Sequence, residues 1–313
     1  MNPCTNNDRP KRTFNVTNCF NLIFVWHQNC KPSLLGPNTN KELVMFVLIS
    51  TLLSIAILAG IYHLSSKREQ QHARKYQLLT LLRDVVHLLR RHRAATHYSL
   101  QFQQNNEQEL EVLHNDLTNK LHLLVETSRF ENKPMYRVLQ IKVGKLLEQW
   151  NDHSVARNQM EHGKLIRHCL FLMDEVTIAW LAVEQRDDLH NEYHMNWQNI
   201  MDSLETLTQL RISIQDLGEQ GGNERFKNYA SVMTRKLNQL AVIAPLSIVS
   251  PASTRSIQIL NNYVTGSHVD LTEAELYGVT SELSLTIFNT YDHVLSDIVE
   301  ALYLPLPKLS VAR

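Results

Sequence analysis

The sequence predicts an all-α protein, with a single transmembrane helix followed by an antiparallel helical-bundle domain. Glycine and proline each occur only nine times in 313 residues, and neither occurs between Ser65 and Lys133. This supply is too small for the many tight turns of an all-β protein. About eight helical runs with short links follow one uncharged apolar stretch, and such runs pack most simply as antiparallel bundles.

Charge and cysteine content argue against several classes of protein. Lysine plus arginine and aspartate plus glutamate number 31 each, so no overall basic field indicates nucleic-acid binding. The cysteines are too few for a disulfide scaffold and match no zinc-ligand spacing. They are Cys4, Cys19, Cys30 and Cys169. A Cys19–Cys30 disulfide would require an extracytoplasmic tail.

Residues 43–62, LVMFVLISTLLSIAILAGIY, form a run without a charged side chain. At about 1.5 Å per residue, a helix of this length crosses a hydrocarbon core of roughly 30 Å. A secretory signal peptide has a shorter apolar core of about 7–15 residues and lies nearer the start of a chain. We therefore expect a single-pass transmembrane helix over residues 43–63.

Basic residues near this span favour a cytoplasmic C-terminal domain. More of them follow the span than precede it: Lys67, Arg68, Arg74 and Lys75 against Lys31 and Lys41. Further basic residues of the tail, Arg9, Lys11 and Arg12, reduce the difference in basic residues between the two sides of the span. A periplasmic domain is therefore the alternative.

The rest of the chain divides into a tail, a domain and a short end. Residues 1–42 are rich in asparagine and proline and are expected to be loosely ordered, residues 64–304 form the helical domain, and residues 305–313 are expected to fray. Predicted helices reach residue 104 and then cover 107–128, 134–150, 155–184, 187–217, 223–243, a run after Pro251 and a last run that ends before Pro305. Asp270 or Thr272 can cap this last helix. The domain is predicted to form two stacked bundles that share long helices, or one elongated bundle.

An arginine interrupts the apolar face of two predicted helices. Steps of three and four residues connect Leu82, Val86, Leu89, Arg93, Thr96 and Leu100. The same steps connect Trp197, Met201, Leu204, Leu207, Arg211, Ile214 and Leu217. By contrast, mainly polar residues flank three arginines near the first stripe at these spacings, Arg83, Arg90 and Arg91.

Each stripe arginine needs an anionic partner, because an unpaired buried charge costs several kcal/mol. One source is an internal carboxylate, with four candidates: Asp116, Glu205, Asp216 and Asp292. The other source is a bound anion, because a planar guanidinium presents a fork of donors that matches a trigonal oxyanion. Small hydroxyl side chains nearby could complete the set of donors: Thr96, Thr206 and Thr208.

Three segments together resemble the nitrate- and nitrite-sensing (NIT) domain family of bacterial signal receptors. They are LLRRHRAATHYSL with Arg93, SLETLTQLRISIQDLG with Arg211, and LTEAELYGVTSELSLTIFNTYDHVL with Thr280 and Asp292. The likeness covers residues 78–303 in the family's order, although His92 and Ala94 replace the glutamate and the glycine that flank the family's first arginine.

This resemblance implies a pair of bundles that bind nitrate or nitrite between arginines of different helices. It also implies a location in the inner (cytoplasmic) membrane, an unidentified signalling partner protein and a homodimer. We therefore expect a membrane-anchored sensor whose output passes through a partner or through the membrane helix. The alternative is a membrane-anchored scaffold or adaptor with a degenerate sensor bundle that binds no anion.

Other candidate sites are weaker. His190 and His194 lie one helical turn apart, but no third metal ligand accompanies them, so two solvent-facing histidines are the simpler interpretation. The sequence also predicts surface positions for three further histidines, His87, His92 and His97. We find no nucleophile constellation, paired catalytic carboxylates or nucleotide-binding fingerprint, so we expect neither an enzyme nor a cofactor.

Overall fold

The structure is a computed structural model, and it describes residues 39–129, 131–266 and 271–307. The predictions for residues 1–38, including the three cysteines of the tail, lie outside the described residues, as do those for Asp270 and for residues 308–313. The prediction of an all-α chain is confirmed for the described ranges, which contain helices and no strand.

Nine α-helices and one short 3-10 helix are described. They are α1 (Thr39–Phe102), α2 (Glu107–Thr127), α3 (Lys133–Gln149), the 3-10 helix (Trp150–Asp152), α4 (Val155–Val183), α5 (Asp187–Gln215), α6 (Gly222–Ile243), α7 (Pro245–Ile248), α8 (Pro251–Thr265) and α9 (Glu273–Leu302). The sequence did not predict α7. Its first residue is Pro245, which ends α6 but is well suited to the first position of a new helical turn.

The chain divides into two compact units, Met1–Lys67 and Arg68–Arg313, with the division inside α1. In the first unit, the described residues form a helix whose large apolar side chains are exposed. Its most apolar stretch has a mean hydropathy of 2.6, so by length and composition this helix can cross a membrane.

The second unit is built from amphipathic helices that share one core. Along α1 the core includes Leu82, Val86 and Leu89, as the apolar stripe predicts. Among the later helices, α5 packs against α4, α6 and α9, while α2 packs against α3 and α6 against α8. Arg93 and Arg211 lie on the buried faces of α1 and α5.

The last helix begins at a capping box. The Thr272 hydroxyl accepts a hydrogen bond from the Glu275 backbone N–H at 3.3 Å, and the Glu275 carboxylate accepts one from the Thr272 N–H at 2.9 Å. These bonds satisfy donors that the first helical turn leaves free. This cap fixes the start of α9, the helix that faces both stripe arginines.

The segment after α9 contacts α1. The Tyr76 hydroxyl donates to the Pro305 carbonyl at 2.9 Å, and Arg83 Nη1 donates to the Pro307 carbonyl at 3.1 Å. Residues 305–307 are thus bound to the domain, whereas the sequence predicted that fraying would begin at residue 305. The sequence showed no signal for this contact because the donors lie more than 200 positions away.

Candidate functional site

Three arginines from two helices converge in the second unit. Arg93 on α1 is 7% exposed and Arg211 on α5 is 4% exposed. Arg90, one helical turn before Arg93, is partly buried beside it. All three guanidinium groups face the same stretch of α9, and we refer to them as the arginine cluster.

Hydroxyl and carbonyl groups of α9 accept hydrogen bonds from the arginine cluster. Arg93 Nη2 and Arg90 Nε both donate to Ser284 Oγ at 3.3 Å. Arg211 donates to Thr280 twice, from Nε to Oγ1 at 3.1 Å and from Nη2 to the backbone carbonyl at 2.9 Å. Because Thr280 and Ser284 are four residues apart, one face of α9 provides the hydrogen-bond acceptors for all three arginines.

Tyr277 extends this face of α9 by one turn. Its hydroxyl is within hydrogen-bonding reach of Arg93 and accepts a bond from Gln159 Nε2 at 2.9 Å. The Arg211 guanidinium carbon lies 5.7 Å from the ring centroid. On one side, the ring stacks against His97 with a centroid distance of 3.5 Å. A flat aromatic surface therefore adjoins two guanidinium groups.

No carboxylate neutralises the cluster within the part of the chain that the structure describes. Of the four candidate carboxylates, Asp116 is exposed on α2, and the others pair with different arginines. These pairs are Glu205 with Arg167 at 2.8 Å, Asp216 with Arg225 at 3.5 Å, and Asp292 with Arg83 at 2.5 Å. The remaining ion-paired arginines of the described ranges are Arg68, Arg91 and Arg186. The internal salt bridges considered for Arg93 and Arg211 are therefore not formed.

Without a carboxylate partner, the arginines of the cluster have lowered pKa values. Burial holds the pKa of Arg211 well below its usual range, and the Arg93 charge lowers it further. Burial and the Arg93 charge also lower the pKa of Arg90 to about 9, against a weaker opposing effect of Glu282. Burial likewise lowers the pKa of Arg93. Arginine does not readily lose its proton, so an anion is the group that would relieve this repulsion.

Several buried polar atoms next to the cluster have no hydrogen-bond partner among the described residues. They are Arg93 Nε, His97 Nδ1, Asn158 Oδ1 and Gln159 Oε1. Two of these atoms are amide oxygens, and the amide nitrogens of the same side chains donate to Thr96 and Tyr277. A cavity of about 10 Å³, whose lining includes His97, Gln159, Arg211, Tyr277 and the side chain of Glu273, is close to the space that one water-sized molecule needs.

The three threonines of the predicted site occupy different environments. Thr96 is buried one turn from Arg93, where its hydroxyl donates to the His92 carbonyl at 2.8 Å and accepts from Asn158 Nδ2 at 2.9 Å. Thr208 is buried, but its hydroxyl donates to the Leu204 carbonyl of its own helix at 2.9 Å. Thr206 is partly exposed and likewise donates to its own helix, at 2.9 Å. Only Thr96 is linked to residues that surround the cluster.

Three histidines beside Arg93 form a hydrogen-bonded chain. His162 Nδ1 donates to the Asn158 carbonyl at 2.8 Å, and His162 Nε2 lies 2.8 Å from His92 Nδ1. His92 Nε2 lies 2.9 Å from His114 Nε2. Burial lowers the pKa of His92 to about 3 and places that of His162 well below its usual value, so both rings are neutral near pH 7.

Two sequence-based predictions about this region are wrong. His92 and His97 are buried rather than on the surface, because the histidine chain and the Tyr277 ring provide partners for them. Arg83 and Arg90 also face the domain interior, whereas Arg91 pairs with Glu109 at the surface. The three-residue step from Arg90 to Arg93 could have predicted that Arg90 faces inward, because residues at this spacing share one side of a helix.

The remaining histidine pair offers no metal site. His190 and His194 stack with a centroid distance of 6.4 Å, and His194 is exposed. No group of three or more potential ligands suited to a metal ion occurs within the described ranges.

Comparison with protein-family models, with curated proteins and with solved structures finds no match for this chain. Its function is therefore inferred from the chemistry of its residues.

Proposed function

We propose that this protein is a membrane-anchored sensor that binds a small planar oxyanion, nitrate or nitrite, at the arginine cluster. Arg93 and Arg211 bind the anion from different helices, and Arg90 supplies a third charge. Thr96 supports the site through Asn158, and Thr206 and Thr208 of α5 are further members of the proposed site. The protein acts as a binding protein and not as an enzyme.

One observation carries this proposal: three inward-facing guanidinium groups meet without a carboxylate within ion-pair distance in the described ranges. A buried cation that lacks an anionic partner is costly, and a bound anion would offset that cost. A guanidinium fork matches the edge of a planar trigonal anion through two parallel hydrogen bonds. The flat Tyr277 ring beside the Arg211 guanidinium also favours a flat ligand.

A scaffold that binds no anion is the second candidate function. Ser284, Thr280 and the Thr280 carbonyl already accept hydrogen bonds from the cluster. These neutral acceptors can hold the guanidinium groups in place, although they leave the positive charge uncompensated. Under this alternative, removing an arginine changes stability without changing any response to nitrate.

The proposed output follows from the sequence of α1. This helix carries both the apolar stretch and, further along, Arg90 and Arg93. Binding that shifts α1 against α5 and α9 would thus act on the same helix that crosses the membrane. The proposal includes a single-pass inner-membrane location with the domain in the cytoplasm, two stacked bundles, a homodimer and a separate signalling partner. A periplasmic domain remains the alternative orientation.

Calorimetric titration of the full chain in detergent with nitrate and with nitrite tests the proposal. We expect a dissociation constant of about 1–100 μM for one of the two anions, weakened by at least about tenfold in Arg93→Ala and in Arg211→Ala. Arg91→Ala is the matched control, because Arg91 is a neighbour on α1 that pairs with Glu109 at the surface. Absence of binding by the wild-type chain at about 1 mM of either anion would favour the scaffold.

A further inference from the structure

A second basic region lies away from the arginine cluster, in a cleft between α3 and α4. Polar side chains from both helices line it: Lys142, Lys145 and Gln149 of α3, then His153, then Arg157, Glu161, Lys164 and His168 of α4. The spacings of three and four residues place each set on one face of its helix. Leu146 and Leu165 provide the apolar part of the lining, and we call this region the α3–α4 cleft.

The charge of the α3–α4 cleft is unusual for this chain. Four lysine or arginine side chains face one carboxylate, a formal balance of 4 − 1 = +3 with neutral histidines. The carboxylate, Glu161, is already paired with Lys164 at 2.8 Å. A neighbouring pocket between α1, α3 and α4 has three basic and two acidic side chains, a balance of 3 − 2 = +1. Since the whole chain is neutral, this charge is a local concentration.

Two side chains in the α3–α4 cleft have unused hydrogen-bonding capacity. The Nδ1 atoms of His153 and His168 are buried and have no partner among the described residues. The cleft has a volume of about 340 Å³, which is within the range of small-molecule sites. Flexible ammonium groups around a recess with imidazole donors are suited to the tetrahedral oxygens of a phosphate group.

We propose that the α3–α4 cleft binds a soluble phosphate-bearing ligand that carries at least two negative charges. Lys142 and Lys145 contact the phosphate oxygens from α3, and Arg157 and Lys164 contact them from α4. This binding does not require the arginine cluster. It gives the sensor domain a second anionic ligand of a different class, held by side chains that line a solvent-exposed cleft.

Calorimetric titration with inorganic pyrophosphate tests this proposal on the full chain in nanodiscs of uncharged phosphatidylcholine. We expect one molecule to bind per chain, and Lys142→Gln/Lys145→Gln to weaken binding by at least about tenfold. The matched control is Lys133→Gln/Arg137→Gln, which removes the same charge from α3 outside the cleft. It should change the affinity by no more than about twofold.

Two results would overturn the proposal. One is no pyrophosphate binding up to about 1 mM, and the other is an equal loss in both double variants, which would reflect net charge alone. Nanodiscs that contain phosphatidic acid separate a soluble ligand from a lipid headgroup. An unchanged pyrophosphate affinity supports a soluble ligand, whereas competition by the anionic lipid assigns the phosphate site to a headgroup and overturns that part of the proposal.

The His168 ring provides a readout that net charge alone would not change. Burial and the Lys142 charge lower the pKa of His168, so a bound dianion should raise it again. Titration of this ring by NMR, with and without pyrophosphate, should show that rise in the wild-type chain. A pKa of His168 that does not change at saturating pyrophosphate would contradict binding in the α3–α4 cleft.

Discussion

Among the described residues of the second unit, four arginines turn inward, and their partners divide them into two kinds. Arg83, which is 5% exposed, pairs with Asp292 at 2.5 Å and donates to the Pro307 carbonyl at 3.1 Å. Among the described residues, the three arginines of the cluster donate to neutral acceptors and form no ion pair. The charge of Arg83 is compensated within the fold by Asp292. The charges of the arginine cluster would be compensated by a bound anion.

Replacing Arg211 by methionine should therefore stabilise the protein in buffer without nitrate or nitrite. Removing an uncompensated buried charge while keeping a similar side-chain volume is expected to increase the free energy of unfolding, because the desolvation cost of the charge is removed. Arg83→Met is the contrast, because it leaves the Asp292 carboxylate unpaired, at a cost of about 1–3 kcal/mol. Thermal unfolding of both variants measures the difference. If Arg211→Met proves as destabilising as Arg83→Met, Arg211 is a structural residue.

The histidine chain makes a prediction about tautomers. The Asn158 carbonyl can only accept, so His162 carries its proton on Nδ1, and its Nε2 must accept from His92 Nδ1. His92 Nε2 then accepts from His114 Nε2. Nitrogen-15 NMR near pH 7 should show protonated Nδ1 on His92 and His162 and protonated Nε2 on His114. A proton on His92 Nε2 would contradict this order.

At the scale of the helices, the sequence predicted type and boundaries well because the signals are local. The glycines near residue 220 mark the break between α5 and α6, whereas Pro251 and the threonine before α9 mark helix starts. The partners of buried polar groups were not predictable in this way. His92, His114 and His162 come from three helices, and their pairing depends on how those helices pack. Two members of the cluster were predicted from their stripes, but Arg90 was assigned to the polar side.

The capping box of α9 makes a prediction at the same scale. Thr272→Ala removes the hydroxyl that accepts the Glu275 N–H, which should cost about 1 kcal/mol of stability. Thr206→Ala is the matched control, because the Thr206 hydroxyl donates to the Asp202 carbonyl within its own helix and caps no helix end. Thermal unfolding should show a lower midpoint for Thr272→Ala alone. Equal midpoints for the two variants would mean that the cap contributes little to the fold.

At the scale of the whole molecule, buried neutral histidines make stability depend on pH. Burial lowers the pKa of His92 to about 3, and burial together with the Arg211 and Arg93 charges lowers the pKa of His97 to about 4. The pKa of a histidine in the unfolded chain is about 6.5. Below this pH, the unfolded chain binds protons that the folded chain does not, so stability decreases as the pH decreases. The expected slope is up to about 1.4 kcal/mol per pH unit for each such histidine, from about pH 6.5 down toward pH 4.

Unfolding of the full chain between pH 7.5 and pH 5 would reveal this dependence. The pH dependence of His97→Gln should be shallower, because one buried neutral imidazole has been removed. His122→Gln is the control, since the His122 side chain is 68% exposed. A wild-type stability that does not change over this pH interval would show that these histidines can be protonated without disturbing the fold.

The central claim is that an anion binds at the arginine cluster, and NMR of arginine Nε–H groups tests it most directly. Arg93 Nε is buried without a partner among the described residues, while the paired Arg83 is an internal reference on the same helix. Addition of nitrate or nitrite to the full chain, labelled with nitrogen-15 in arginine, should shift the Nε–H resonances of Arg90, Arg93 and Arg211 together. The Arg83 resonance should stay in place. Saturating shifts confined to exposed arginines, or no shift at all with either anion, would contradict the account.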